Sequence, residues 1–119
     1  MPIATLASVS LDCPDPAVLA AFYAAVTGLE ISYETDTFAA IGGDPLYVAF
    51  VRVDDHRPPT WPEGDVPQQF HLDFKVDDVA AAVDQVMALG ASKPAHQPGG
   101  DRWTVLADPA GHPFCLTTM

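Results

Sequence analysis

Basic residues are scarce in this chain. Five Lys and Arg stand against sixteen Asp and Glu in 119 residues, for a formal net charge of −11. The five, Arg52, Arg57, Lys75, Lys93 and Arg102, are scattered along the sequence. Nucleic acid and anionic membrane surfaces both demand clustered cations, so neither is an expected partner. Cysteine is nearly as sparse: Cys13 and Cys115 are too few for a disulfide framework and read as thiols. No run approaches the roughly 20 apolar residues of a membrane span, and no basic segment followed by an apolar stretch opens the chain. A soluble cytoplasmic protein is therefore expected. A phosphate-cradling Gly loop, a Gly-x-Ser-x-Gly elbow and a Cys-x-x-Cys pair are also missing; Gly99-Gly100 reads as a turn with no helix behind it.

What is present is an ordinary globular composition, 49% hydrophobic, enough for one domain with a core of its own. It is arranged as a repeat. One half runs Ser8-Val9-Ser10-Leu11-Asp12-Cys13-Pro14-Asp15, then an apolar-periodic stretch to Gly28. The other runs His71-Leu72-Asp73-Phe74-Lys75-Val76-Asp77-Asp78, then a similar stretch to Gly90. The same interval, 62 residues, separates Asp15 from Asp77 and Gly28 from Gly90. Such a repeat marks a fold built from two copies of one unit.

In the first copy, residues 3–11 alternate as a strand does. Asp15 is a natural helix N-cap with Pro16 at the first helical position, and Gly28 is a left-handed stop. Val18, Leu19, Phe22 and Val26 form an apolar helix face. Phe22 and Tyr23 read as helix-to-sheet packing. Residues 29–33, 37–41 and 46–53 read as strands, with Gly42-Gly43-Asp44-Pro45 turning the last two. In the second copy, strand 69–75 leads to a helix starting at Asp77 or Asp78 and stopping at Gly90. Short strand 91–93, strand 102–107 and strand 113–117 follow, and Asp108-Pro109-Ala110-Gly111 forms a turn that His112 orders. The pattern predicts an α+β domain of two βαβββ modules, residues 1–53 and 69–119, joined by the Pro-rich linker 54–68. Two such sheets curled together form a mixed sheet around a central cup, where small molecules bind.

With that order, the chain resembles the vicinal oxygen chelate superfamily, which includes glyoxalase I, extradiol dioxygenases and bleomycin- and fosfomycin-resistance proteins. The carriers are Asp15 with Phe22-Tyr23 and Gly28, the run from His71 to Asp78, Leu89-Gly90-Ala91, and Asp108-Pro109-Ala110-Gly111-His112-Pro113-Phe114. In detail it is similar to the small bacterial glyoxalase-like proteins. The resemblance implies a divalent metal held by His, Glu or Gln from equivalent strands of both modules. Ser8 stands seven residues before Asp15, where a His is usual; His71 stands seven before Asp78 and keeps the imidazole. On the last strand Cys115 replaces the usual Glu, and in module one the matching face carries Ala49 or Val51. One of four ligands survives, so no metal cofactor is expected. If an ion is held, His71 and Cys115 are its ligands, with Asp73 (on the same strand face as His71) or His112 as a third donor.

The expected ligand-binding set is therefore Ser8, Ala49, Val51, Trp61, His71, Asp73, Trp103 and Cys115. Trp61 sits in the Pro-rich linker, where it can drape over a pocket mouth; Asp73 is open to three readings, orienting the ring of His71, binding a ligand amine, or forming a strand-edge salt bridge. His56 and His96 lie in loops and are given no role. The leading reading is a metal-free binder of a small organic molecule that sequesters an antibiotic or metabolite, a cationic one suiting the acidic surface. The rival is a lyase or isomerase that uses His71 as its acid or base, or as a ligand of a divalent metal. A third reading is an accessory protein that pairs through a sheet edge. A homodimer is expected, since isologous dimers are the commonest assembly.

Overall fold

The structure, a computed structural model, describes residues 1–119, which divide into two compact units, Met1–His56 and Arg57–Met119. The first holds β1 (Ser8–Cys13), α1 (Pro16–Thr27), β2 (Ile31–Glu34), β3 (Phe38–Gly43) and β4 (Leu46–Arg52). Its sheet has the order β1-β4-β3-β2, with β1 and β4 parallel and the other pairs antiparallel. Asp15 caps α1 by accepting the Ala17 N–H at 3.1 Å. Gly28 ends the helix at φ 76°, donating to the Ala24 carbonyl at 2.8 Å, a conformation that costs other residues Cβ strain. The helix buries Leu19, Ala20, Phe22 and Tyr23, and Tyr23 stacks on Phe50 with ring centroids 5.8 Å apart. Strand alternation puts Leu11, Ala39, Ile41 and Phe50 on the helix side. Ser8, Ser10, Phe38, Ala40, Tyr47 and Ala49 fall on the other.

Residues 3–7 form no strand, contrary to the expectation of one over 3–11, and Ile3 and Leu6 are exposed. The ladder stops because β1 has only β4 to pair with. Its register begins at Ser8 opposite Tyr47, and Leu46 is already opposite Gly43 in the turn to β3.

The second unit holds β5 (Leu72–Lys75), α2 (Val79–Ala88), β6 (Trp103–Ala107) and β7 (Pro113–Thr117), in the sheet order β5-β7-β6. Asp78, one residue past the Asp77 of the sequence repeat, is the N-cap of α2, accepting the Ala81 N–H at 3.2 Å. Ala82, Val83 and Val86 of the helix are buried, and the helix lies against β6 and β7. Phe74 meets Phe114 edge-on at 5.9 Å; with Leu106 and Leu116, Phe114 is fully buried. Strand β5 starts at Leu72 rather than Gln69. Pro113 opens β7 and has no N–H with which to carry the ladder further back.

The second module lacks the counterpart of β2. The strand expected over 91–93 is reduced to one bridge, Ser92 opposite Ala107. Pro94 and Pro98 flank the segment that would have continued it, and Pro cannot donate to a ladder. A side chain substitutes for the missing strand. Gln97 accepts from the Val105 N–H and donates to the Val105 carbonyl, each at 2.8 Å, and also donates to the Pro94 carbonyl at 2.9 Å. The free edge of β6 is thus satisfied by one amide that mimics a peptide group.

Most of the Pro-rich segment belongs to the second unit. Thr60 donates its N–H to the Val66 carbonyl at 2.6 Å and accepts the Val66 N–H on Oγ1 at 3.2 Å, closing residues 60–66 into a loop. The turn before β7 is held by Asp108, which is buried and accepts from the N–H groups of Ala110 (2.9 Å) and His112 (3.0 Å). His112 thus orders this turn through its backbone, as expected.

Candidate functional site

His71 immediately precedes β5 in extended chain two residues before Asp73, and the two side chains point the same way, Nε2 to Oδ1 at 3.3 Å. Cys115 of β7 is in register with Asp73, and Val105 of β6 is in register with Cys115. Trp103, two residues before Val105, completes one face of the three-stranded sheet. This face, opposite the one that packs on α2, forms the floor of a cavity of about 250 Å3. The loop contributes Trp61 and Gln68 to its lining, and Pro98 and Pro113 complete it.

The polar end is a compact cluster. His71 Nε2 lies 3.3 Å from Asp73 Oδ1, and one donor atom each from His71, Asp73 and Cys115 all fall within 4.8 Å of one another. The Cys115 thiol is pushed up to about 11, first by burial, then by the negative charge of Asp73 and by its hydrogen bond to that carboxylate. It is therefore a protonated hydrogen-bond donor at neutral pH and a poor nucleophile. The imidazole and carboxylate remain open to solvent, with side chains 35% and 60% exposed, so both groups can reach a ligand.

The aromatic end is equally specific. The Arg102 guanidinium lies 4.9 Å from the centroid of the Trp103 ring, and Trp61 lies 6.1 Å from His96, ring to ring. Gly99 sits directly behind Trp103: a Cβ there would overlap the indole ring and the Trp103 carbonyl. Two buried polar atoms, the Trp61 indole Nε1 and the Gln68 Oε1, find no hydrogen-bond partner in the chain. An unpaired buried donor or acceptor costs about 1–3 kcal/mol.

Of the eight residues expected at the site, Trp61, His71, Asp73, Trp103 and Cys115 line this one cavity. Ser8 and Ala49 line another, of about 480 Å3, on the equivalent face of the first module with Ser10, Ser32, Tyr33 and Tyr47. Val51 is not among the lining residues of either; it pairs with Phe38 and Asp12 and is half-buried. The equivalence is visible in the registers. Ser10 stands opposite Ala49 as Asp73 stands opposite Cys115, so the first module offers a hydroxyl and a methyl where the second offers a carboxyl and a thiol. Gln68, Pro98, Val105 and Pro113 were not foreseen. Strand parity with Cys115 and Trp103 could have found Val105 and Pro113. The loop residues Gln68 and Pro98 carry no periodic signal. A third cavity, of about 440 Å3, lies beside the start of α1 and is lined by Asp15, Glu34, Asp36 and Arg52 among others.

The model of a family described as "Glyoxalase-like domain" matches residues 8–117. No curated protein matches the chain. Among solved structures, a mutant of the fosfomycin resistance protein of Listeria monocytogenes, complexed with manganese(II) and a dihydroxypropylphosphonic acid, superposes with TM-score 0.73 at 17% identity, over 99% of this chain and 94% of that one. A glyoxalase/bleomycin resistance/dioxygenase family enzyme of Burkholderia phytofirmans gives 0.69 at 23% identity, over 95% and 97%. The bleomycin-binding protein of Streptomyces verticillus, complexed with copper(II)-bleomycin, gives 0.63 at 17% identity, over 100% and 99%. These likenesses establish a shared fold.

The donor set expected of a metal site split between two modules does not fit, since Ser8, Ala49 and Val51 supply no customary ligand. Three donors within one module do stand together, and they are a nitrogen, an oxygen and a sulfur. That set fits an ion able to accept all three.

Proposed function

Because the chain belongs to the glyoxalase-like domain family, whose model spans residues 8–117, we propose that it binds a small organic molecule in the cavity of its second module. The observation that carries this reading is one cavity whose lining joins aromatic surface from Trp61 and Trp103 to the solvent-open imidazole and carboxylate of His71 and Asp73. A ligand with a polar group beside a ring meets the His71–Asp73 pair with the first and the indole surfaces with the second. At about 250 Å3 the cavity lies below the roughly 300–1,000 Å3 of drug-sized pockets, so it suits a single substituted ring or a side group of a larger antibiotic. Sequestration of such a molecule is the proposed role. The fold is shared with a bleomycin-binding protein and a fosfomycin resistance protein.

The test is a thermal-shift screen against antibiotics and aromatic metabolites. A ligand at 100 times its Kd stabilises by about 2.7 kcal/mol. Replacing Trp61 or Trp103 with Ala abolishes that shift if the cavity is the site. A hit that shifts both variants as much as the parent protein rejects it.

The contact of His71 with Asp73 at 3.3 Å favours a second reading, a lyase- or isomerase-type enzyme. There Asp73 holds the imidazole, which takes or gives a proton at a bound substrate. Turnover that His71→Gln removes, with binding retained, separates catalysis from sequestration. We also place the protein in the cytoplasm as a homodimer. Two buried cysteines that form no disulfide suit a reducing compartment, and Ile31, Tyr33, Leu46 and Tyr47 expose apolar surface on one sheet. Light scattering reads the dimer directly.

A further inference from the structure

We propose that His71, Asp73 and Cys115 together bind a thiophilic divalent cation, Zn2+ in preference to Mg2+ or Mn2+, wholly within the second module. Two features of the chain put the donors there. The two-residue spacing of His71, just before β5, and Asp73, within it, sets them on one side of the chain, and the parallel register of β7 brings Cys115 beside Asp73. The donor atoms then lie within 4.8 Å of each other, with His71 Nε2 and Asp73 Oδ1 already at 3.3 Å. Bonds of about 2.0–2.3 Å to nitrogen, oxygen and sulfur set tetrahedral donors about 3.3–3.7 Å apart, so small rotamer changes close the widest pair.

The chemistry of the set decides which ion it takes. Mg2+ and Mn2+ favour oxygen-rich shells; a thiolate beside an imidazole favours Zn2+ and its spectroscopic substitute Co2+. Three protein donors leave a tetrahedral ion one free position, as in catalytic rather than structural zinc sites. The three donors line the same cavity as Trp61 and Trp103, so a fourth ligand would come from there. Binding replaces the thiol proton with the ion, so one proton leaves to solvent. The cation site shares the cavity of the proposed function but not its organic occupant, and its test contains no organic ligand.

The experiment is a Co2+ titration of the full chain after treatment with chelator, followed by optical absorption. A near-ultraviolet thiolate-to-cobalt band and visible bands saturating at one equivalent are expected, and Zn2+ bleaches both while excess Mg2+ or Mn2+ does not. Cys115→Ser loses the near-ultraviolet band, and Cys13→Ala keeps it. Circular dichroism confirms that the variants are folded. Should Cys115→Ser fail to fold, the exposed substitutions His71→Ala and Asp73→Asn carry the test: each weakens Co2+ binding at least tenfold while Cys115 still gives the band at high Co2+. No spectral change in the parent protein overturns the proposal. So does a band that survives in Cys115→Ser, affinity unchanged in both exposed variants, or equal competition by Mn2+. A positive thermal-shift hit alongside a blank Co2+ titration rejects the cation site and leaves the organic pocket standing.

Discussion

Replacing Asp73 with Asn removes a negative charge and a charged hydrogen-bond acceptor from beside Cys115, and both raise the thiol's pKa. In chelator-treated protein, the variant ionises Cys115 at lower pH than the parent, where the thiol sits at about 11. Alkylation of Cys115 by iodoacetamide near pH 9, followed by peptide mass spectrometry, is therefore faster in Asp73→Asn; an unchanged rate refutes the assignment. The sign for stability is the same one. Because the folded thiol titrates above the unfolded one, its contribution is full below the ordinary thiol range and is lost as pH rises through about 11. At this scale the sequence was informative wherever parity governs direction. His71, Asp73, Trp103 and Cys115 all sit on or next to strands, and all four line the cavity. Gln68 escaped notice because a loop side chain has no period, and its position follows from how residues 60–66 close on themselves.

At the level of elements, the edge of β6 is the most testable feature. Gln97→Ala leaves the Val105 N–H and carbonyl without their partner and costs about 1–3 kcal/mol, read in urea denaturation. Gln97→Glu keeps the acceptor but loses the donor to Val105 and sets a carboxylate against its carbonyl, so it destabilises as well. Gly99→Ala acts on the same strand from behind. Its methyl group would overlap the Trp103 ring and backbone carbonyl, so it displaces one wall of the cavity and lowers both ligand affinity and Tm. Phe114→Ala, by contrast, is a core deletion of about 3–5 kcal/mol, since the ring is fully buried. Helix starts and stops were legible because caps are chemical: Asp15, Pro16 and Gly28 each do what their backbone preferences dictate. Strand ends were not. Where a ladder begins depends on what its partner can still donate, and neither Pro113 nor the end of β4 announces that locally. The short strand expected over 91–93 was lost to Pro94, Pro98 and a glutamine.

For the molecule as a whole, the charge of −11 sets up a long-range field that draws cations and repels anions. A cationic ligand of the cavity consequently binds more weakly as ionic strength rises, because the Debye length falls from about 10 Å at 0.1 M to about 3 Å at 1 M. An anionic ligand shows the opposite trend. The readout is built in. The chain has two tryptophans, Trp61 and Trp103, and both line the cavity, so tryptophan emission, excited selectively over the three tyrosines, reports on that site. Quenching that follows salt in neither direction excludes a charged occupant. The family-scale organisation, two related modules of sheet and helix, was readable from the repeat itself. The chemistry within it was not, because the repeat specifies scaffold positions and leaves their side chains free.

That freedom is measurable. The registers place Ser10 and Ala49 of the first module where the second has Asp73 and Cys115, and Ser8 stands seven residues before the cap of its helix, as His71 does. The hydroxyl-lined face is thus a blank copy of the ionisable one. Installing Ser8→His, Ser10→Asp and Ala49→Cys together should raise the number of Co2+ ions bound per chain from one to two. The result would make this duplicated chain its own control: one scaffold read twice, in which function was written on a single copy and the other was left to vary.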